Sequence, residues 1–383
     1  MKKIILATGI YPPEMGGPAT HVQTIGQALA KQNIAVSILA YGQGPSQDGP
    51  VAVNWVSRRW PKILRHFIFL RRLKRLAKGA DRIVAFNAVS AGWPTKVVGK
   101  KLGVPFIVRI VGDAAWERAQ QARKTNLSVS DFQETPKSGY IGQLDKIQRL
   151  VCQAATAVYV PSLFLKKIVS GWGVSEEKIE IIHNGFDISV IDLSKEEARL
   201  KVGISGNIIL SVARLVPWKG MRMLIKIMPE ILKDDPFARL VIIGEGPEEE
   251  KLKAMIKTLR LERSTVILPR KNREELATYF AAADMFVLNT FYEGFSHLLI
   301  EALALGTPVI TTEAGGNPEI IEQGQNGLAV PFNDEAGLIE AIKMIHTNDD
   351  LRAKLIARGY NSVQKFSRER MIEEILKLFL KNL

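Results

Sequence analysis

A single cysteine, Cys152, stands in 383 residues, which excludes an internal disulfide and points to a reducing compartment. Neither that cysteine nor any pair of the five histidines has the spacing of a zinc site. No apolar run approaches the roughly 18 residues that would span a bilayer. The opening "MKKIILATGIYPPEMGG" loses its apolar character at Tyr11-Pro12-Pro13, with no small-residue cleavage site of a signal peptide after it. These absences predict a cytoplasmic chain whose first apolar run is a buried strand. Asp-x-Asp occurs nowhere, low-complexity tracts are missing, and no repeat of solenoid period is visible.

What remains has the composition of a globular protein, 46% hydrophobic and 24% charged, and disordered or fibrous classes are excluded. The length exceeds what one growing core occupies, so two domains are expected. Charge is divided unevenly between the halves. Residues 1–185 hold 26 Lys and Arg against 11 Asp and Glu, whereas residues 186–383 hold 26 against 28. The net charge of +13 is therefore a property of the first half. Within it, residues 58–78 carry nine basic residues and no acid, interleaved with Trp60, Ile63, Leu64, Phe67, Leu70 and Leu73 at helical spacing. Such a basic amphipathic helix can cover a sheet with one face and keep its arginines in water. It can also dock on an anionic membrane surface or a pyrophosphate-linked lipid, placing the chain at the inner face of a membrane. Nucleic acid is not expected as a partner, because no helix-turn-helix, RNA-recognition or zinc-finger signature accompanies it.

Short β-branched runs alternate with helical segments from end to end: "KKIILATG", "AVSILAY", "DRIVAFN", "PFIVRIV" and "TAVYVPS", then "NIILSVARL", "RLVIIGEG", "STVILP", "DMFVLN" and "TPVITT". This alternation predicts an α/β fold of two Rossmann-like, doubly wound domains facing across a cleft. The expected domains are 1–187 and 200–365, with a strand beginning near Asn207 and an amphipathic helix over 366–383. Ligands of open α/β sheets bind at the carboxyl ends of the strands, so functional residues should fall on the loops there.

Three loops meet that expectation. In "TGIYPPEMGGPATHVQTIGQAL" a strand ends and Gly16-Gly17 opens a helix, as a turn or as a backbone approach to an anion. In "SVARLVPWKGMRMLIKIM" Arg214 and Lys219 flank a Pro-Trp turn; two cations of different reach suit a departing diphosphate, although alone they read equally as solvated side chains. In "NTFYEGFSHLLIEALALGTPVITTEAGG" Glu293 precedes a helix beginning near Ser296 and Glu301 lies inside it. The helix amino end suits a phosphate, and the two carboxylates suit the vicinal diols of a sugar and a ribose.

Taken together, "MGGPATH", "VARLVPWKG", "IIGEGPEEEKL", "EGFSHLLIEALALGTPVITTEAGGNPEII" and "NGLAVPF" resemble the retaining nucleotide-sugar glycosyltransferases of family 4, which have the two-domain GT-B fold. The likeness covers nearly the whole chain, and its E-x7-E signature is specific. It implies that Gly16 and Gly17 border the donor diphosphate and the acceptor, and that Arg214 and Lys219 bind the diphosphate. Glu293 would take the transferred sugar and Glu301 the ribose. Gly244, Phe295, Ser296 and Leu298 would contact the donor, with Arg270 and Lys271 near the base. The first domain would bind the acceptor, the second the nucleotide sugar, and the final helix would return to the first domain. Many relatives carry a histidine where this chain reads "VRIVGDAAWERA". Asp113 in that region is either an acceptor of sugar hydroxyls, a base, or the cap of a helix starting at Ala114. His21, His183 and His297 adjoin motifs without an acid partner, and packing or capping is their expected role.

The implied reaction moves a hexose from a nucleoside diphosphate to a saccharide or lipid-linked acceptor with retained configuration, in cell-surface polysaccharide or glycolipid synthesis. No cofactor beyond the donor is expected, nor a metal, since Arg214, Lys219 and a helix amino end meet the diphosphate. Two rival readings exist. One is an epimerase or sugar-phosphate-utilising synthase of the same fold; the other is a membrane-docked, catalytically silent nucleotide-sugar-binding protein.

Overall fold

A computed structural model describes residues 2–14, 16–186 and 193–381. The expected end of the first domain at 187 and the last two residues of the expected helix 366–383 lie outside them. The chain divides into two compact units. The first comprises Met1–His183 with Glu369–Leu383, and the second Asn184–Arg368.

The first unit is built on β1 (Lys3–Thr8), β2 (Ala35–Tyr41), β3 (Gln47–Asp48), β4 (Val51–Val56), β5 (Arg82–Ala85), β6 (Phe106–Arg109), β7 (Ala157–Val160) and β8 (Ile179–Ile181). Its order is β3-β4-β2-β1-β5-β6-β7-β8, parallel apart from the antiparallel β3. The central strands are runs such as "KIILAT" and "FIVR" because helices cover both faces, leaving no solvent side for alternating polar residues. The second unit holds β9 (Asn207–Val212), β10 (Ala238–Ile243), β11 (Thr265–Leu268), β12 (Met285–Leu288), β13 (Val309–Thr312) and β14 (Leu328–Val330). All are parallel, in the order β11-β10-β9-β12-β13-β14. Both units are thus Rossmann-like and doubly wound.

The polypeptide crosses between the units twice, and residues beside the two crossings pair with each other. Phe186 N–H donates to the Phe366 carbonyl at 2.8 Å, and Arg368 N–H to the Phe186 carbonyl at 3.0 Å. Beyond this pairing, helix Arg368–Leu380 belongs to the first unit's core. Met371, Ile375, Leu378 and Phe379 share one helical face and pack with Ile4, Leu6, Ile38 and Tyr159. Arg82 stops the helix, donating to the carbonyls of Leu378 at 3.3 Å, Phe379, and Lys381 at 3.0 Å. A cation on the last carbonyls offsets the negative helix end. Among the described residues no helix is long and apolar enough to cross a membrane.

Phe379 is fully buried and edge-on to Tyr159 at 5.8 Å. Phe379→Ala is expected to destabilise the first unit by about 3–5 kcal/mol, the usual cost of emptying an aromatic core position. Chemical denaturation checks this, and a loss under about 1 kcal/mol would show that the helix is only loosely docked.

Candidate active site

Chain order in the second unit runs from β9 outward to β10 and β11, then returns to β12 on the other side of β9. The strand order reverses between β9 and β12, and loops leaving the two strands part there, which opens a crevice at their carboxyl ends. Arg214 and Lys219 follow β9, and Glu293 follows β12.

These loops are locked together by side-chain and backbone donors on backbone carbonyls. Asn289 Nδ2 donates to the Gly220 carbonyl at 3.1 Å, Phe291 N–H to the Trp218 carbonyl at 2.8 Å, and Thr290 Oγ1 to the Trp218 carbonyl at 3.2 Å. Gly220 sits at φ +58, and a Cβ there would fall 2.4 Å from the Asn289 carbonyl oxygen. The loop after β13 holds the other side. Gly316 N–H donates to the Glu293 carbonyl at 2.9 Å, and Gly315, at φ +60, approaches so closely that a Cβ would lie 1.8 Å from that oxygen. Gly244 plays the same part after β10, where a Cβ would lie 1.9 Å from the Ala213 carbonyl oxygen.

On this frame Lys219 Nζ donates to Glu293 Oε1 at 2.8 Å and to the Tyr292 carbonyl at 3.0 Å. The side chains are 13% and 22% exposed, so the pair is shielded yet reachable. Arg214 is exposed, its guanidinium 5.5 Å from the centroid of the buried Trp218 ring. The stacking fixes the cation's direction and leaves its N–H donors to an incoming anion. Phe295 is buried edge-on to Phe366 at 5.4 Å, anchoring the turn between Glu293 and the following helix.

That helix runs His297–Ala304 with Ser296 as its N-cap. Ser296 makes no capping bond; its hydroxyl is buried without a hydrogen-bond partner. An orphaned hydroxyl beside the free N–H groups of a helix start is a ready donor to a bound anion. Leu298, partly buried, packs under the same turn. One helical turn on, Glu301 has its carboxyl pKa raised by burial, against the pull of His297 and Arg273. Among the described residues no donor reaches its carboxylate, so its hydrogen-bonding capacity is open to a ligand.

Lys219 and Glu293 are thus in direct contact; Arg214, Gly244, Phe295 and Ser296 lie on the loops after β9, β10 and β12, and Leu298 and Glu301 on the helix that follows the last of them. Arg270 and Lys271 stand at the exit of β11, with β10 between them and β9; Lys271 Nζ pairs with Glu275 at 3.3 Å. Gly16 and Gly17 belong to the first unit. There the strand order reverses between β1 and β5, and Gly16 precedes helix Gly17–Lys31, its carbonyl accepting from Ala19 N–H at 2.9 Å.

Asp113 corrects an expectation. It is fully buried as N-cap of helix Ala114–Gln121. Oδ1 accepts from Ala115 N–H at 2.8 Å, Trp116 N–H at 2.9 Å and Gln148 Nε2 at 2.9 Å, and Oδ2 accepts from Gln133 Nε2 at 2.7 Å. With both oxygens engaged and no exposed surface, it can neither meet a sugar hydroxyl nor act as a base. Of the histidines, His21 is edge-on to Phe86 and kept neutral by burial and nearby Arg109. His183 Nδ1 is 2.9 Å from the Pro161 carbonyl, and His297 is exposed. Read from the sequence, Asn289 and Trp218 had no role of their own, and Gly315-Gly316 entered only as part of the family-like run that follows Glu301. The Gly-Gly of "TTEAGG", directly after a strand, was the available signal.

Two outcomes follow from this geometry. Gly315→Ala should lose about 1–3 kcal/mol of stability, since the residue is held in a left-handed conformation against the Glu293 carbonyl; an unchanged Tm would contradict the close approach. Glu301 holds its proton more tightly folded than unfolded, so its carboxyl lowers stability as pH rises through the ordinary carboxylate range and the raised folded value above it. Glu301→Gln should therefore raise Tm at neutral pH and leave it unchanged in acid below that range. A Tm difference independent of pH would contradict the burial.

Known proteins share this construction. Residues 15–190 match the family model described as Glycosyltransferase Family 4, and residues 194–362 that described as Glycosyl transferases group 1. An uncharacterized glycosyltransferase of Methanocaldococcus jannaschii is 26% identical over 98% of this chain and 97% of its own. The N-acetylgalactosamine-N,N'-diacetylbacillosaminyl-diphospho-undecaprenol 4-alpha-N-acetylgalactosaminyltransferase of Campylobacter jejuni is 29% identical over 56% of this chain and 57% of its own. Among solved structures, Anabaena HepE in complex with UDP-glucose superposes with a TM-score of 0.82 at 18% identity, covering 99% of both chains. The chain belongs to the family 4 glycosyltransferases of GT-B fold, enzymes that draw on nucleotide sugars.

Proposed function

We propose that this enzyme moves a hexose from a nucleoside-diphosphate sugar to a saccharide or lipid-linked acceptor with retained anomeric configuration. The observation that carries the proposal is the placement of Arg214 and Lys219 on the loop after β9, with Lys219 bonded to Glu293 and the vacant N-cap hydroxyl of Ser296 on the loop after the neighbouring β12. Two cations and a helix start on adjacent loops suit a diphosphate, above all one gaining charge as a leaving group. Glu293, held by Lys219, accepts hydroxyls of the sugar being moved, and Glu301 accepts those of the ribose. The first unit carries the acceptor surface, with Gly16 and Gly17 at its strand reversal, and the second carries the donor.

In the proposed step the bond from the anomeric carbon to the diphosphate oxygen breaks, the oxygen keeping the electron pair. The acceptor oxygen bonds to the anomeric carbon on the same face, and its proton passes to the departing phosphate oxygen. Arg214 and Lys219 supply charge to the diphosphate as it leaves, and Glu293 positions the sugar through its hydroxyls. The pairing of Glu293 with Lys219 favours that positioning role over covalent attack. Catalysis is then chiefly charge stabilisation and orientation. The same cations neutralise the diphosphate without a divalent ion, which supports a metal-independent reaction.

The solved neighbour with UDP-glucose makes uridine donors the first to assay. The Campylobacter relative, named for a diphospho-undecaprenol acceptor, favours lipid-linked saccharides and a place in polysaccharide or glycolipid assembly. Arg214→Ala is expected to lower kcat by about two to three orders of magnitude, the scale of one lost preorganised donor, with the anomeric configuration of the wild-type product retained by NMR and its rate unchanged by EDTA. Full turnover by the variant, an inverted product, or loss of rate in EDTA would each defeat the corresponding part of the mechanism.

A further inference from the structure

One surface of the first unit has no part in the proposed chemistry. Helix Lys62–Leu76 turns Phe69 and Leu73 into the core. Away from it Trp60, Ile63, Leu64 and Phe67 stand 50, 88, 41 and 59% exposed. Positions 63, 64, 67, 71, 74 and 75 advance by helical steps along one face, with Trp60 just before the helix and Lys78 just after it, so the apolar group is followed by Arg71, Lys74, Arg75 and Lys78. A helix that merely covered a sheet would put polar residues where Ile63 and Phe67 are.

A neighbouring helix extends the same surface. Trp93–Leu102 packs beside Lys62–Leu76 and exposes Trp93 and Val97. Lys96 lies over the Trp93 ring at 4.9 Å, and Lys100 and Lys101 complete its exposed side. Lys74 and Lys101 come close enough that Lys101 lowers the Lys74 ammonium pKa. Between residues 58 and 110 there are fourteen Lys and Arg, and Asp81 is the one acid.

We propose that these two helices form a docking face for an anionic lipid bilayer, with Trp60, Ile63, Leu64, Phe67, Trp93 and Val97 entering the interface and the flanking lysines and arginines meeting the phosphates. The combination of apolar wedge and a large excess of cations fits that occupant. A second copy of the chain would bring like charges together, and a nucleic acid would leave Ile63, Leu64 and Val97 without a use. The face adjoins the loop after β1. Arg58 donates from Nε to Glu14 Oε1 at 2.9 Å, and from Nη2 to Glu14 Oε2 at 3.0 Å and the Gly9 carbonyl at 2.7 Å. Docking would therefore hold the Gly16-Gly17 loop near the membrane surface. The inference does not depend on the transfer chemistry, because binding is read without substrate.

Cosedimentation of the full chain with phosphatidylcholine vesicles, with and without phosphatidylglycerol, tests it. Wild type should bind only the anionic vesicles, more weakly as salt rises. Arg71→Gln/Lys74→Gln/Arg75→Gln/Lys78→Gln should reduce binding about a hundredfold or more, and Ile63→Ser/Phe67→Ser about tenfold or more. These positions lie on the exposed side, so unchanged circular dichroism should accompany each loss. No wild-type binding, or equal binding by either variant and wild type, would overturn the proposal. So would a wild-type dimer in sedimentation velocity that Ile63→Ser/Phe67→Ser converts to monomer, since the face would then be covered by a second copy.

Discussion

The candidate site depends on the ion pair between Lys219 and Glu293. The two residues lie on loops from different strands, 74 positions apart, at the place where the sheet's connections reverse. Each is largely shielded, so neither charge is screened as it would be in bulk water. Lys219 also binds the Tyr292 carbonyl, which fixes the backbone just before Glu293. Removing either partner would leave the other charge under-compensated, a costly state in a shielded place. The pair therefore sets the distance between a cation suited to phosphate and an acid suited to hydroxyls.

Glycines bring the supporting loops into range. Gly220, Gly244 and Gly315 each sit where a Cβ would collide with a neighbouring backbone atom. At these points peptide groups of adjacent loops come closer than any side chain allows, and bonds such as Gly316 N–H to the Glu293 carbonyl and Asn289 Nδ2 to the Gly220 carbonyl form across them. Function and frame are thereby separated. The backbone of one loop positions another, while Arg214, the Ser296 hydroxyl and the Glu301 carboxylate keep bonding capacity for a ligand. The positive charge of the first half is arranged differently, over the outer sides of two helices rather than at a loop frame.

How far this could be read in advance followed burial. Central strands such as β1, β6, β9 and β12 are buried on both faces and appear as continuous apolar runs. β4 reads "VAVNWV" and alternates because it is partly exposed near the sheet edge, and β8 and β14 are three residues each, too short for any period; none of these was anticipated. Arg214, Lys219, Glu293 and Glu301 were legible through the family-like motifs that hold them, since charged residues on a strand-exit loop or inside a helix read equally as solvated side chains when taken singly. Asp113 reads in the sequence as either a site residue or a helix cap, and it is the cap. A carboxylate after a strand serves equally well as a helix cap, and only Gln133 and Gln148, distant in sequence, distinguish the two. Trp218 and Gly315 act through neighbours supplied by other loops, which a linear pattern does not display.

The most direct test of the central claim is a crystal structure of the chain with a nucleoside diphosphate bound. The account predicts phosphate oxygens at hydrogen-bond distance, about 2.7–3.2 Å, from Lys219 Nζ and the Arg214 guanidinium, with ribose hydroxyls on Glu301. A diphosphate seated elsewhere on the chain, with Lys219 and Glu293 paired and away from it, would contradict the account.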